Sequence, residues 1–223
     1  MAANTRILDL TLPLRRGMRG FDWETKYIIE RHGWNARTLH LYSHAGTHVD
    51  AQAHFAAGPE TIDQVALERC SGSARVVFLS HVQPRELLSV AHLGSVADTF
   101  QPGEVLLLAS GWSRYRDDPA VYRDRLPRVS EELAEWCVRR GVNVIGVEPP
   151  SVADVTNLDE LTRVHRILLG GRVTIVEGLT NLNALPESGA WFMAAPLKIE
   201  GGDGCPCRAF ALLDPPCSVA GRS

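Results

Sequence analysis

The 223-residue sequence lacks most of what would mark a secreted, membrane-spanning or nucleic-acid-binding chain. Its longest apolar runs, such as Val105 to Ala109, fall far short of the roughly 18 residues that cross a bilayer, so no membrane partner is expected. The opening stretch MAANTRILDLTLPLRRG has no continuous apolar segment ending in a small-residue cleavage site. A cytoplasmic location is therefore expected. Basic residues are not in excess: 23 Lys and Arg stand against 26 Asp and Glu, a formal charge of -3 that argues against nucleic acid as a partner. Five cysteines (Cys70, Cys137, Cys205, Cys207 and Cys217) are too few and too odd a set for a disulfide framework in a chain this long. Reduced thiols are expected, and Cys205-Pro206-Cys207 has one intervening residue where redox and zinc pairs usually have two. There is no G-x-S-x-G elbow and no Walker loop, and EGGDGCP does not fit G-x-G-x-x-G, which sets aside serine-hydrolase and nucleotide chemistry.

What is present is an ordinary globular composition, 45% hydrophobic and 22% charged, of a length that suits one domain over residues 1–223. Short aliphatic runs at Val76 to Leu79, Val105 to Leu108, Val142 to Val147, Val173 to Val176 and Ala209 to Leu213 predict buried strands. A helix is expected after Ser130, with Ser130 as N-cap, Glu131 and Glu132 in the first turn and Gly141 as the stop. A second is expected from about Asn157 to Leu169, where Leu158, Leu161, Val164 and Leu168 form a stripe. Strand, helix and strand alternate through the second half, as in an α/β fold. The first half reads as short extended pieces and loops, and the charged stretch SRYRDDPAVYRDRLPRVS, mixed in sign, reads as a solvated loop or short helix.

Chemistry concentrates in SHAGTHVDAQAHF, residues 43–55, which holds His44, His48, Asp50 and His54. On one ideal helix, at about 100° per residue, these four cannot converge on an ion. On one straight strand they share a face, yet His44 and His48 would lie about 13 Å apart. Convergence needs a bend between them, and Gly46 is the residue that can make it. Imidazoles and a carboxylate around such a bend are the ligand types of zinc or manganese. Two downstream residues are further candidates: His165 is either a ligand or a helix-terminal histidine, and Glu177 either a ligand or a strand end facing solvent.

The stretch HAGTHVDAQAHF resembles the H-x-G-T-H-x-D-x-P-x-H-F signature of the metal-dependent cyclase-like hydrolases, a family that includes kynurenine formamidase and isatin hydrolase. VIGVEPPSVAD, HRILLGGRVTIVEGLTNL and APLKIEGGDGCPCRAF resemble later blocks of that family in the same order. The resemblance implies a mixed sheet forming a partly closed barrel flanked by helices, of the swivelling β/β/α type. It implies His44, His48, Asp50, His165 and Glu177 as ligands of two zinc ions, with manganese as the alternative, and His54 as the proton-transfer group. It also implies a homodimer or homotetramer acting on a small molecule. Amide hydrolysis, of an aryl formamide or a cyclic amide, is the expected activity. A lactonase, esterase or polyketide-type cyclase is the enzymatic alternative, and a metal-stabilised binding protein the non-enzymatic one. Gln52 stands where the family has proline and is a candidate for presenting its amide to substrate; Trp23 and Phe21 are candidates for an aromatic substrate contact.

Overall fold

The structure, a computed structural model, describes residues 6–79, 81–187 and 189–213. Cys217 lies outside the described residues. In chain order the strands are β1 (Arg6–Asp9), β2 (Phe21–Tyr27), β3 (Ala36–Leu41), β4 (His48–Asp50), β5 (Ser71–Phe78), β6 (Leu87–Leu88), β7 (Val105–Ala109), β8 (Arg128–Val129), β9 (Val144–Val147), β10 (Thr174–Glu177), β11 (Ala190–Pro196) and β12 (Gly204–Leu213). The helices are α1 (Ile29–His32), α2 (Val96–Thr99), α3 (Pro119–Tyr122), α4 (Glu131–Arg139) and α5 (Leu158–Gly170), with short 3-10 turns between them.

Seven strands close a mixed barrel in the order β12, β11, β5, β7, β9, β10, β4 and back to β12. Closure depends on the ten-residue β12, which pairs with β11 along one edge and with β4 and β1 in succession along the other. The four central strands, β5, β7, β9 and β10, run parallel, joined by crossovers that carry α2 between β5 and β7, α4 between β7 and β9 and α5 between β9 and β10. The resemblance implies a partly closed barrel; the pairing of Gly204, Cys205 and Pro206 with Asp50, Val49 and His48 completes the ring.

The barrel wall is apolar on both sides, which is why β7 reads as the unbroken run VLLLA. Val105, Leu107 and Ala109 point into the barrel with Val49, Val144, Val176 and Phe192, whereas Leu106 and Leu108 point outward against Leu133, Val164 and Leu168 of α4 and α5. Alternation along a strand thus fills two cores at once. The helices begin where capping chemistry places them: the Ser130 hydroxyl accepts from Leu133 N–H at 3.0 Å, and the Asn157 side chain accepts from Glu160 N–H at 3.2 Å. β2 and β3 form a separate hairpin, and no described helix is long and apolar enough to cross a membrane.

Inside the barrel there is little spare room, since a Cβ on Gly146 would come within 2.5 Å of the Leu107 side chain. Leu107→Ala should therefore leave a cavity and lower the unfolding free energy by about 2 to 5 kcal/mol, read from urea melts at fixed pH and metal content.

Candidate metal centre

β4 is three residues long and is paired on both edges, to β10 and to β12. Val49 points into the barrel, so His48 and Asp50, its neighbours on either side, point out of it. Glu177 of β10 is the register partner of His48, and it too faces outward. The centre therefore sits on the outer wall of the barrel, where α5 and the 3-10 turn Gln52–Phe55 cover it.

His44 reaches the same point because the chain turns at Gly46, whose φ of 63° lies in the left-handed region that favours glycine. The bend is pinned by Thr47, whose hydroxyl donates to the Gly178 carbonyl and accepts the Leu12 N–H at 2.8 Å. Gly204 then leaves a gap that the His44 ring occupies, as a Cβ there would fall 2.7 Å from His44 Cε1. His165 arrives from α5, one turn after Leu161 and beside the buried Val164 and Leu168 that dock the helix.

The result is two groups of three ligand-type side chains that share Asp50: His44, His48 and Asp50, and Asp50, His165 and Glu177. Asp50 Oδ1 lies 2.9 Å from His44 Nδ1 and 3.5 Å from His48 Nε2, while Oδ2 faces His165 Nε2 at 3.7 Å. Glu177 bridges the remaining pair, with Oε2 3.2 Å from His48 Nε2 and Oε1 3.4 Å from His165 Nε2. Two outer contacts fix the rings. His48 Nδ1 donates to the Gly46 carbonyl at 3.0 Å and His165 Nδ1 to the Leu161 carbonyl at 2.7 Å, which turns both Nε2 atoms toward the carboxylates.

A cation fits this arrangement on the chemistry of the donors. His48 Nε2 and Asp50 Oδ2 are buried without a hydrogen-bond partner, although buried polar atoms are almost always satisfied. The 3.2 Å approach of Glu177 to His48 Nε2 brings the charges together without the alignment of a hydrogen bond. Among the protein groups alone, protons balance the carboxylates. Burial disfavours the His44 imidazolium, but Asp50 and Asp203 outweigh it and raise its pKa to about 9. Burial likewise opposes charge on His48 and His165, and Glu177 and Asp50 raise both. For Glu177 the sign is reversed: burial would raise it, yet His165 and His48 hold it well below the usual carboxylate range.

His54 joins the centre from the side. Its ring stacks on His44 at 3.8 Å between centroids, and Nδ1 faces Asp203 Oδ2 at 3.5 Å. Burial is the main influence on it and lowers its pKa, so it is neutral near pH 7. Phe55, the next residue, stacks on His165 at 4.3 Å.

Three residues do not lie where the sequence placed them. Gln52 is buried, and its amide nitrogen donates to the Leu169 carbonyl at 3.0 Å, so the amide braces the end of α5 and is turned away from the cavity. Trp23 and Phe21 belong to the β2–β3 hairpin and do not line the cavity; Trp23 is flanked by the guanidinium groups of Arg16 and Arg37.

Sequence reasoning also missed two carboxylates. Asp203, in the Gly-rich turn before β12, holds His44 Nε2 at 2.9 Å and belongs with His44 and His54 to a third ligand-type group. Its only sequence signal is one acidic residue among glycines, which reads as turn chemistry. Glu148, at the end of β9, is buried, and burial raises its pKa; it accepts from the Ser113 hydroxyl at 3.0 Å and the Trp112 N–H at 3.1 Å. The stretch expected to be a solvated loop or short helix contains the short helix α3 and is largely exposed, and one side of it is also a wall: Arg116, Asp117, Pro119, Tyr122 and Arg123 line a cavity of about 620 Å3 with the metal centre at its floor. Tyr122 is anchored there by donating its hydroxyl to the Glu148 carbonyl at 2.8 Å.

Comparison with known proteins places this geometry in context. The Cyclase family model matches residues 8–154. The chain is 30% identical over 194 residues to the kynurenine formamidase of Salinibacter ruber, covering 87% of each chain, and 29% identical over 212 residues to that of Erythrobacter litoralis, covering 92% of each. Isatin hydrolase A from Ralstonia solanacearum superimposes with a TM-score of 0.82 at 28% identity, covering 95% of this chain and 93% of that one. A structure described as a potential metal-dependent hydrolase with cyclase activity has a TM-score of 0.76 at 23% identity, covering 95% of this chain and all of the other, and shares the fold.

Two measurements test the centre. Gly204→Ala should displace the His44 ring and weaken metal binding at least tenfold, as disturbance of ligand support does in metal sites; chelator competition reads this directly. Protons and metal compete for the same nitrogens. Because His44 in the metal-free protein has a raised pKa of about 9, its stabilising contribution is complete below its ordinary pKa of 6.5 and lost as pH rises through 9. The melting temperature of metal-free protein should fall across that window while the increment from added metal grows.

Proposed function

The chain belongs to the Cyclase family of metal-dependent hydrolases, and from that premise we propose that it hydrolyses a non-peptide amide C–N bond, in an aryl formamide or a cyclic amide. One observation carries this reading: two ligand groups sharing Asp50 lie at the floor of a cavity, with a neutral imidazole, His54, beside them. The likeness to kynurenine formamidases and isatin hydrolase supports amide rather than ester or lactone cleavage.

When bound, divalent ions supply Lewis acidity, polarising a carbonyl and acidifying water. His44, His48 and Asp50 would hold one ion and Asp50, His165 and Glu177 a second; zinc is proposed for both, with manganese as the alternative. Asp50 suits a shared role because its two oxygens face the two groups separately. His54, neutral and stacked on His44, accepts a proton as the nucleophile forms and returns it to the leaving nitrogen. Asp203 facing His54 Nδ1 favours the proton there, which leaves Nε2 as the basic atom. Leu161, Phe55 and Tyr122 give the cavity the apolar wall an aryl group requires.

A cytoplasmic homodimer or homotetramer is part of the same proposal. Exposed Ile28, Ile29, Trp34 and Leu39 on and beside the β2–β3 hairpin support self-association, which light scattering after size-exclusion chromatography would measure.

Purified protein is expected to carry about one to two divalent ions per chain and to hydrolyse formanilide, with activity lost on chelation and restored by zinc or manganese. Protein without bound metal that gains nothing from either ion would end this reading. His54→Ala should keep its metal and lose about 10² to 10⁴ in turnover; loss of metal in that variant would make His54 a ligand.

A further inference from the structure

The 3-10 turn Gln52–Phe55 presents its side chains in two directions. At three residues per turn, positions three apart lie on one side, whereas positions two apart point about 120° away from each other. Gln52 and Phe55 accordingly share a face, and both meet α5: the Gln52 amide nitrogen donates to the Leu169 carbonyl at 3.0 Å, and the Phe55 ring stacks on His165 at 4.3 Å. His165 and Leu169 are themselves four apart, one above the other on the helix. His54 leaves the turn in a different direction and stacks on His44 at 3.8 Å.

Two side-chain hydrogen bonds tie this turn to α5. Arg166 Nε donates to the Phe55 carbonyl at 3.0 Å from an exposed side chain, whereas the Gln52 amide makes its bond in a buried position. Its acceptor is one of the last carbonyls of α5, where the helix end is negative and a donor is favoured. The surroundings are fitted to the amide: a Cβ on Gly58 would collide with Gln52 Oε1, and the Gln52 carbonyl accepts the Ala57 N–H at 3.0 Å. The backbone here asks for no glutamine. Ala51 is extended, at φ -102° and ψ 164°, and Gln52 opens the turn with an N–H that donates no hydrogen bond among the described residues. Proline, which the family signature has at this position, meets both conditions and would stiffen the turn through the main chain. In this chain a side-chain bridge stands in that place.

We propose that Gln52 is the positioning residue for His54: its amide bridge to Leu169 fixes the rotation of the turn about its own axis, and through it the direction of the His54 ring. The consequence for turnover rests on the hydrolase reading above, whereas the bridge itself does not. Without the amide, the Leu169 carbonyl still accepts the Arg172 N–H at 3.0 Å, so the end of α5 keeps its closing bond. The metal ligands keep their supports as well, His48 and Asp50 in the ladders to β10 and β12 and His165 on α5. What loosens is the turn that carries His54. A proton-transfer group acts only from a narrowly defined position, so turnover responds where metal and substrate binding do not.

The test compares metal-replete parent protein with Gln52→Ala, Gln52→Glu and Gln52→Pro by kinetics on formanilide, metal analysis and amide hydrogen exchange. Gln52→Ala removes the bridge; Gln52→Glu keeps the size but, ionised, has no hydrogen to donate to a carbonyl. Both should lose about tenfold or more in kcat with KM and metal content unchanged. Exchange of the His54 and Ala57 amides, which are bonded to the Ala51 and Gln52 carbonyls, should rise at least about tenfold in both. Gln52→Pro should recover most of both losses. Parent-like kcat and exchange in Gln52→Ala or Gln52→Glu, loss of metal in step with turnover, or Gln52→Pro no better than Gln52→Ala would each overturn the positioning role. A parent inert toward formanilide whose exchange follows this pattern ends the hydrolase reading and leaves the bridge standing. An active parent whose exchange and kcat are indifferent to Gln52→Ala does the reverse.

Discussion

Asp50 is the group on which the site and much of the surrounding fold depend. A carboxylate with a fully buried side chain is costly unless positive charge and hydrogen-bond donors surround it, and here three imidazoles converge on it, two from its own segment and one from α5. His44 comes from a glycine bend, His48 from the same short strand, and His165 from a helix more than a hundred residues later. Each is needed for charge balance, and each needs a different structural device to arrive. Glu177 adds a second buried carboxylate opposite His48, which raises the demand for positive charge beyond what neutral imidazoles meet. Protons satisfy it in the metal-free protein; divalent ions would satisfy it as well, with the unpartnered His48 Nε2 and Asp50 Oδ2 among the atoms that would hold them.

The barrel supplies the rigidity that this convergence requires. β4 is too short to hold a position alone, yet it closes the ring, clamped between β10 and β12 with Val49 packed in the interior. The seam of the barrel and the floor of the cavity are therefore one piece of structure. A change that loosened closure would also move His48 and Asp50, and a change that displaced the ligands would leave buried charges at the seam of the ring. Placing the site on the outer wall, with the interior filled by aliphatic side chains, keeps the cavity open without hollowing the core.

How far the sequence disclosed this depended on the range of each signal. Local signals were legible: the strands carrying Val105 to Leu108 and Val173 to Val176, the cap at Ser130, a helix beginning near Asn157, and a bend at Gly46 all follow from a few consecutive residues. His48 and Asp50 share a face because they are two apart on a strand, and the histidine signature lies within one short segment. Long-range pairing was not legible. Nothing in GGDGCP states that its last three residues will pair with a strand some 155 positions earlier. β11 escaped notice because AWFMAAP has no β-branched residue, although burial alternates along it.

Polar residues misled where their partners were distant. Gln52, next to the ligands in sequence, turns its amide to the Leu169 carbonyl, because a side chain two positions from Asp50 is carried over the edge of the site by the 3-10 turn. Arg116 and Arg123 sit in a stretch of alternating sign that looks solvated, yet Trp112 is completely buried and Tyr122 is anchored to Glu148, which fix that stretch against the barrel. Once it is fixed, the mixed charges sort by partner: the acids pair at the rim or outside it, and the guanidinium groups border the opening. The buried aromatic anchors, rather than the charge count, were the informative feature of that segment. They convert a polar surface stretch into the wall that faces the metal centre, and so link the far half of the chain to the chemistry that Asp50 organises.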